Sequence, residues 1–178
     1  MKLYLLSGII LLYLLVIVFF YFYQRTFLYF PELNNYLTKE TINEDNQQLT
    51  VNTSDDISLI SYYYSNKNNT HTILFLHGNA GTLENRIYKL NAIKRLGFNY
   101  LAISWRGFSG NQGEPSEFGL TQDAIAGLNF LNKSGVRDED IYVYGESLGT
   151  GIATEVAQNK NFAGLILETP FTSMVEAA

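Results

Sequence analysis

The pattern of apolar and polar positions divides the chain into one long apolar segment followed by short alternating segments. Residues 3–23 carry no charged side chain and are rich in Leu, Ile, Val and Phe. A helix of this length rises about 30 Å, which is enough to cross the hydrocarbon core of a bilayer. Aromatic residues lie near both ends, Tyr4 at one and Phe19 to Tyr23 at the other, as membrane–water interfaces favour. The pattern predicts a transmembrane anchor over residues 1–25.

The residues on either side of this segment indicate whether it is cleaved as a signal peptide and how it is oriented in the membrane. A cleaved signal peptide is the alternative to an anchor, but no small-residue cleavage site follows the apolar run; Gln24 and Arg25 follow instead. We therefore expect an uncleaved single-pass anchor with the lipid bilayer as its partner. The amino terminus and Lys2 lie on one side of the span, and Arg25 and Lys39 lie on the other. This distribution leans toward an inside N-terminus and an external domain.

A polar connector over residues 26–48 precedes a region in which short apolar runs alternate with helical periodicity. The turn at Ser54-Asp55-Asp56 predicts an antiparallel hairpin between the first two strands. The later strands are continuous apolar runs separated by helices, which is typical of a parallel sheet buried on both faces. Residues 49–178 are therefore predicted to form an α/β domain with a mostly parallel, doubly wound sheet. The predicted strands are 49–52, 57–64, 72–76, 100–104, 141–144 and 165–167, and the predicted helices are 83–96, 117–131 and 148–158.

Composition narrows the chemistry that this domain can perform. The 178 residues carry a net charge of −5, and all 17 acidic residues follow the apolar segment. An acidic domain repels phosphate backbones, so no nucleic-acid partner is expected. The absence of Cys from the sequence excludes a disulfide framework, a thiolate metal site and a Cys nucleophile. No metal and no organic cofactor is indicated, and the oligomeric state is left open.

The motif Gly145-Glu146-Ser147-Leu148-Gly149 lies between a predicted strand and a predicted helix. This G-x-S-x-G pattern is typical of a nucleophile elbow, in which a strained turn exposes a serine hydroxyl above the sheet. Neighbouring backbone passes close to such a turn, so small residues are required at Gly145 and Gly149. The pattern predicts Ser147 as a catalytic nucleophile. The alternative is a Ser-Gly turn in which Ser147 only caps the helix.

A second glycine-containing turn, His77-Gly78-Asn79-Ala80-Gly81, follows the first buried strand. In a hydrolase this turn brings a backbone N–H toward the nucleophile, and we expect Asn79 and Leu148 to supply the two N–H groups of an oxyanion hole. Gly78 lets the backbone approach the substrate. The alternatives are an ordinary strand-to-helix loop and a phosphate-binding loop, although the turn matches neither common phosphate-loop pattern.

Together these motifs resemble the α/β-hydrolase superfamily, and within it the single-span, membrane-anchored branch of serine-aminopeptidase-like and general α/β-hydrolases. The resemblance implies a sheet of about eight strands with the elbow after the fifth. It also implies hydrolysis of an ester, thioester or amide of a small acyl substrate through an acyl-enzyme. The matching segments are Gln24-Arg25, Tyr29-Phe30-Pro31 and residues 75–81, 105–110, 113–116, 145–149 and 168–173.

The remainder of a catalytic triad is missing from the sequence. In this fold the nucleophile is followed along the chain by an Asp or Glu and then by a His. Residues 148–178 contain neither His nor Asp. We therefore expect a hydrolase domain truncated after its sixth strand, inactive in this form, with the acid and the His supplied by sequence beyond residue 178. The alternatives are a non-catalytic pseudo-hydrolase or gene remnant, and a membrane-anchored serine peptidase.

A few polar residues near the expected site are possible substitutes or pocket residues. We expect His77 to order the oxyanion turn rather than act as the base. Glu168 ends the last predicted strand and is either a site acid or structural. Glu146 either lines the pocket or caps the helix. Arg106 is expected to pair with Glu168 or Glu114, or to form a surface ion pair.

Overall fold

The computed structural model describes residues 2–31, 47–158 and 160–173. The chain forms two compact units, Met1–Phe30 and Pro31–Ala178. The first unit is helix α1 (Lys2–Leu28), which is followed by the two-residue strand β1 (Phe30–Pro31). Residues Tyr4–Leu28 are long and apolar enough, with a mean hydropathy of 2.7, to cross a membrane.

Helix α1 therefore extends beyond the predicted end of the anchor at residue 25. Residues 26–28, which fall within the predicted connector, are helical. The connector residues 32–46 lie outside the described part of the chain.

The second unit contains the predicted alternation of strands and helices. Short 3-10 turns span Glu84–Arg86 and Asp138–Asp140. The strands are β2 (Gln47–Asn52), β3 (Ser58–Tyr64), β4 (Thr72–Leu76), the two-residue β5 (Ala80–Gly81), β6 (Asn99–Ile103), β7 (Ile141–Glu146) and β8 (Gly164–Glu168), and the helices are α2 (Ile87–Arg95), α3 (Glu117–Lys133) and α4 (Leu148–Ala157).

Six of these strands form one sheet in the order β2-β3-β6-β4-β7-β8. Strand β3 is antiparallel to β2 and to β6, whereas β6, β4, β7 and β8 are mutually parallel. The predicted mixed sheet with an N-terminal antiparallel hairpin is therefore confirmed. The elbow residue Ser147 follows β7, which is the fifth strand of this sheet along the chain.

Helices cover both faces of the sheet. Along β4, Phe75 points to the face where it packs with Leu90 of α2. Its neighbour Leu74 points to the opposite face, as alternation along a strand requires. There, a Cβ at Gly127 of α3 would lie 2.2 Å from the Ile103 side chain and 3.1 Å from Leu74. The sheet is therefore doubly wound, as predicted.

Two boundaries differ from the sequence prediction for identifiable reasons. The helix predicted over residues 83–96 begins with the 3-10 turn, where Thr82 N–H donates to the Asn85 side chain at 2.8 Å. Strand β7 runs two residues further than predicted, because Gly145 pairs with Leu76 of β4 and Glu146 pairs with Glu168 of β8. The strand thus ends directly at the elbow.

Strand β8 lies at one end of the sheet order. Its apolar residues Leu165, Ile166 and Leu167 are each about two-fifths exposed, at 41%, 39% and 39%. Within the described residues no further strand pairs with the outer side of β8. Strand β8 is therefore an apolar edge strand of the described sheet.

Arg106, in the loop after β6, is buried, so it forms neither the surface ion pair nor the pair with Glu168 or Glu114 that the sequence left open. Its guanidinium donates to Asp123 of α3 at 2.8 and 2.9 Å and to Asp55 of the β2–β3 turn at 2.7 and 3.1 Å. The Arg106 N–H also donates to Asp123 at 2.9 Å. These hydrogen bonds lower the pKa of Asp55 to about 2. Arg106 therefore fastens the hairpin and α3 to the loop at the carboxyl end of β6.

Substitution of Arg106 tests this contact. Arg106→Met leaves the fully buried Asp123 without its cation, so we expect the free energy of unfolding to fall by about 3 kcal/mol. Urea denaturation in detergent, followed by fluorescence of the single, buried Trp105, measures the change. Arg137→Met is the matched control, because the Arg137 side chain is 69% exposed in its ion pair with Asp140. Equal effects of the two substitutions would contradict the assigned role of Arg106.

Candidate active site

Ser147 occupies the turn between β7 and α4 with a backbone conformation that L-residues rarely adopt. Its φ is 49° and its ψ is −115°. Two backbone contacts hold this conformation: Ser147 N–H donates to the Glu168 carbonyl at 2.9 Å, and the Ser147 carbonyl accepts from Thr150 N–H at 2.8 Å. The Thr150 hydroxyl donates to the same carbonyl at 2.6 Å. The backbone of Ser147 is therefore fixed from both strand β8 and helix α4.

The side chain of Ser147, unlike its backbone, forms no hydrogen bond within the described residues. Ser147 is the N-cap residue of α4 by position, but its hydroxyl makes no capping hydrogen bond. Among the described residues, no partner lies within hydrogen-bonding distance of Ser147 Oγ, and the residue is partly exposed. The capping alternative therefore does not explain this turn.

The two glycines of the motif stand where backbone segments meet. A Cβ at Gly145 would lie 2.4 Å from the Gly149 carbonyl oxygen, and a Cβ at Gly149 would lie 2.1 Å from the Leu76 carbonyl oxygen. Both distances are far below van der Waals contact, and both neighbours are backbone atoms that cannot rotate away. The first turn of α4 can press on the end of β4 only because these positions carry no side chain.

The predicted oxyanion turn lies against the elbow. A Cβ at Gly78 would stand 3.4 Å from Ser147 Cβ, so the turn after β4 passes beside Ser147. Leu148 begins α4, and its N–H is therefore one of the helix N-terminal donors. Asn79 follows Gly78 and is partly exposed. The structure thus brings together the turn and the elbow that the sequence assigned to one site.

His77 is the first residue of this turn and is fully buried. Its Nε2 accepts from Trp105 N–H at 3.3 Å, and its Nδ1 donates to the Gly78 carbonyl at 2.7 Å. Burial lowers the pKa of His77 to about 3, so the imidazole is neutral near pH 7. Both ring nitrogens are occupied, which fits the expected ordering role rather than that of a base.

Glu146 and Glu168, the other predicted pocket residues, belong to an ion-pair network. Lys89 Nζ donates to Glu146 at 2.9 Å and to the two Glu168 oxygens at 2.8 and 2.6 Å. Arg86 Nη2 donates to Glu146 at 3.0 Å, and the Tyr144 hydroxyl donates to Glu168 at 2.5 Å. The hydrogen bond from Lys89 lowers the pKa of Glu168, so this carboxyl is ionised near neutral pH. Glu146 therefore does not cap α4 but binds two cations.

Sequence reasoning missed Arg86 and Lys89. Both lie just after the oxyanion turn, three positions apart, which places them on one side of the helical segment. That spacing of two cations beside a predicted site was the available signal. Within the part of the chain that the structure describes, no group of three His, Cys, Asp or Glu residues is arranged to hold a metal ion.

A family model described as alpha/beta hydrolase fold matches residues 71–178. The chain belongs to the α/β-hydrolase family. The match includes both the turn after β4 and the elbow, and it confirms the family that the motifs indicated. The fold class is likewise that of a partial α/β-hydrolase.

Proteins similar in sequence to this hydrolase include an uncharacterized protein and a lipase. An uncharacterized protein of Mycobacterium tuberculosis is 34% identical over 156 residues, which cover 86% of this chain and 56% of that protein. The lysophosphatidylserine lipase ABHD12 of Danio rerio is 37% identical over 113 residues, which cover 60% of this chain and 29% of the lipase. The chain thus spans about half or less of the length of these relatives.

Solved structures give the same picture of the fold. An α/β-hydrolase from Vibrio vulnificus has a TM-score of 0.71 and 29% identity, with 82% of this chain and 55% of that chain covered. The esterase Pf2001 of Pyrococcus furiosus has a TM-score of 0.60 at 23% identity, covering 77% of this chain and 56% of the esterase. The second likeness shows the fold alone.

Two glycines of α4 provide a matched test of the elbow packing. Gly149→Ala places a methyl group against the Leu76 carbonyl, so we expect the free energy of unfolding to fall by about 2 to 3 kcal/mol. Gly151→Ala makes the same change two residues later, where the new Cβ meets only the Phe171 ring at 3.9 Å. There we expect a gain of about 0.5 to 1 kcal/mol from helix propensity. Denaturation curves read through Trp105 compare the variants, and a tolerated Gly149→Ala would disprove the close approach.

Proposed function

We propose that this α/β-hydrolase is a serine hydrolase in which Ser147 is the nucleophile. Ser147 Oγ attacks the carbonyl carbon of an acyl substrate, and its proton passes through a general base to the leaving oxygen as the bond to that oxygen breaks. Water, deprotonated by the same base, then attacks the acyl-enzyme, which releases the acid and returns the proton to Ser147.

The observation that carries this proposal is the state of Ser147 itself. Its backbone is held at positive φ by hydrogen bonds on both sides, while its hydroxyl has no partner among the described residues. A strained serine that caps nothing has no evident structural use, and strained backbone at such turns is typical of functional sites.

The oxyanion role is proposed for the backbone N–H groups of Asn79 and Leu148. Both lie at the elbow side of the domain, one in the turn that passes Ser147 and the other at the start of α4. Backbone N–H groups at a helix start favour the negative charge that develops on a carbonyl oxygen under attack.

The base and its acid are proposed to come from residues outside this sequence. His77 has both ring nitrogens engaged and is buried, and Glu168 is bound to Lys89 and Tyr144. Residues 148–178 contain no His and no Asp.

Acyl-lipid esters are the substrate class that we propose. A lysophosphatidylserine lipase is among the similar proteins, and its name describes the hydrolysis of a carboxylic ester of a lipid. Helix α1 is apolar enough to hold the domain at a bilayer, where such esters are concentrated.

A fluorophosphonate probe, which reacts with activated serines, tests the nucleophile. We expect labelling of the protein in membranes of the cells that make it, and we expect Ser147→Ala to abolish the labelling. Ser134→Ala, at an exposed serine that ends α3, is the control and should label normally.

The purified 178-residue chain is probed beside the cellular protein. Labelling in the cell membranes but not in the purified chain supports a base supplied from outside this sequence. Labelling of the purified chain would show that its own residues activate Ser147 and would overturn that part of the proposal. No labelling in either sample favours the pseudo-hydrolase.

We also propose that α1 spans the membrane with the N-terminus inside and the hydrolase domain outside. Because the sequence lacks Cys, single-cysteine variants report on exposure without background. An impermeant maleimide is expected to label Lys133→Cys, at an exposed position of α3, in intact cells. Leu12→Cys, inside α1, should stay unlabelled. Labelling of Lys133→Cys only after lysis would reverse the orientation, and strong labelling of Leu12→Cys would rule out the span.

A further inference from the structure

Two carboxylates end the two strands that hold the backbone of Ser147. Glu146 is the last residue of β7 and directly precedes Ser147, and Glu168 is the last residue of β8. The two residues are paired in register across the parallel strands. The Glu168 carbonyl also accepts the Ser147 N–H at 2.9 Å. Any movement of either strand end is therefore transmitted directly to the nucleophile turn.

Lys89 of α2 is the described residue whose side chain binds both carboxylates. Its ammonium lies 2.9 Å from Glu146 and 2.6 Å from Glu168, and it is largely buried at 16% exposure. Arg86 contacts Glu146 but makes no ion pair with Glu168. Without Lys89, two adjacent carboxylates would repel each other at the strand ends with a cation on only one of them.

The geometry points to Lys89 as a positioning residue that holds the strand ends beside Ser147 at their working separation. Its effect on catalysis rests on the proposed function, whereas its effect on the backbone does not. Lys89 acts through Glu146 and Glu168 and does not touch the reacting atoms.

Lys89 also balances negative charge beside the proposed oxyanion site. A Cβ at Gly78 would lie 3.4 Å from Glu146 Oε1, so this carboxylate stands beside the turn that carries Asn79, one of the two proposed oxyanion donors. An unbalanced negative charge there would oppose the charge that develops on the substrate oxygen. Lys89 and Arg86 together balance Glu146 and Glu168.

Hydrogen exchange of the full chain in detergent tests the backbone effect. We expect Lys89→Met to accelerate exchange of the amides of residues 145–150 about tenfold more than exchange of the amides of the other strands. Lys89→Arg, which keeps the cation, should restore slow exchange. Arg95→Met removes a charge from an exposed position of the same helix and should have no effect on these amides.

The exchange experiment tests the positioning role of Lys89 without requiring that the protein have hydrolase activity. Unchanged exchange at residues 145–150, or acceleration spread equally over all strands, would overturn it. If Lys89→Met does not fold, Glu168→Gln replaces it, because the amide keeps the shape but loses the charge that binds Lys89. The same local acceleration is then expected, and its absence counts equally against the positioning role.

The fluorophosphonate probe, applied to the protein in cell membranes, tests the catalytic effect separately. We expect Lys89→Met to lower the maximal rate of inactivation at least about tenfold with little change in the probe concentration for half-maximal rate, and Lys89→Arg to recover it. An unchanged maximal rate would overturn the catalytic effect. Absence of labelling in the unsubstituted protein would instead contradict the proposed function, and the exchange rates alone would then decide whether Lys89 positions the strand ends.

Discussion

The contact between the first turn of α4 and the end of β4 is the constraint on which the site depends. The Gly149 backbone lies so close to the Leu76 carbonyl that a methyl group would overlap that oxygen. This approach leaves no room for a relaxed strand-to-helix connection, so Ser147 must take up the turn at positive φ. Hydrogen bonds from the Ser147 backbone to Glu168 and Thr150 then hold the strained conformation. Backbone packing therefore places Ser147 at this turn, where the residue is partly exposed.

Ionic contacts fasten the segments around this elbow. Arg106 joins the loop after β6 to Asp123 and Asp55, and Lys89 joins α2 to the ends of β7 and β8. Both cations are mostly withdrawn from water, where breaking a pair costs far more than it does on the surface. Loss of either cation would leave a poorly solvated carboxylate without its partner, so these pairs fix the arrangement of the segments at the carboxyl ends of the strands.

Much of the fold followed from local pattern. Continuous apolar runs located β4 and β6, and the G-x-S-x-G motif located the elbow, because these signals depend on neighbours in sequence. The ionic partners did not follow, because they depend on strand order and register. Lys89 and Glu168 are 79 residues apart, and Arg106 and Asp55 are 51 apart. The sequence offered Arg106 several nearby carboxylates, and only the antiparallel hairpin brings Asp55 to it.

The polar side chains near Ser147 form hydrogen bonds or ion pairs with other residues, whereas the Ser147 hydroxyl forms none within the described residues. His77, Glu146, Glu168 and Tyr144 all have assigned partners in the described structure. Recruiting any of them as a base would break contacts that hold the elbow or the oxyanion turn, and would leave buried charges or donors unpaired. A base from outside these residues has no such cost, since it needs only to reach the open Oγ. The arrangement therefore supports the proposal that Ser147 is activated by a group that the described residues do not contain.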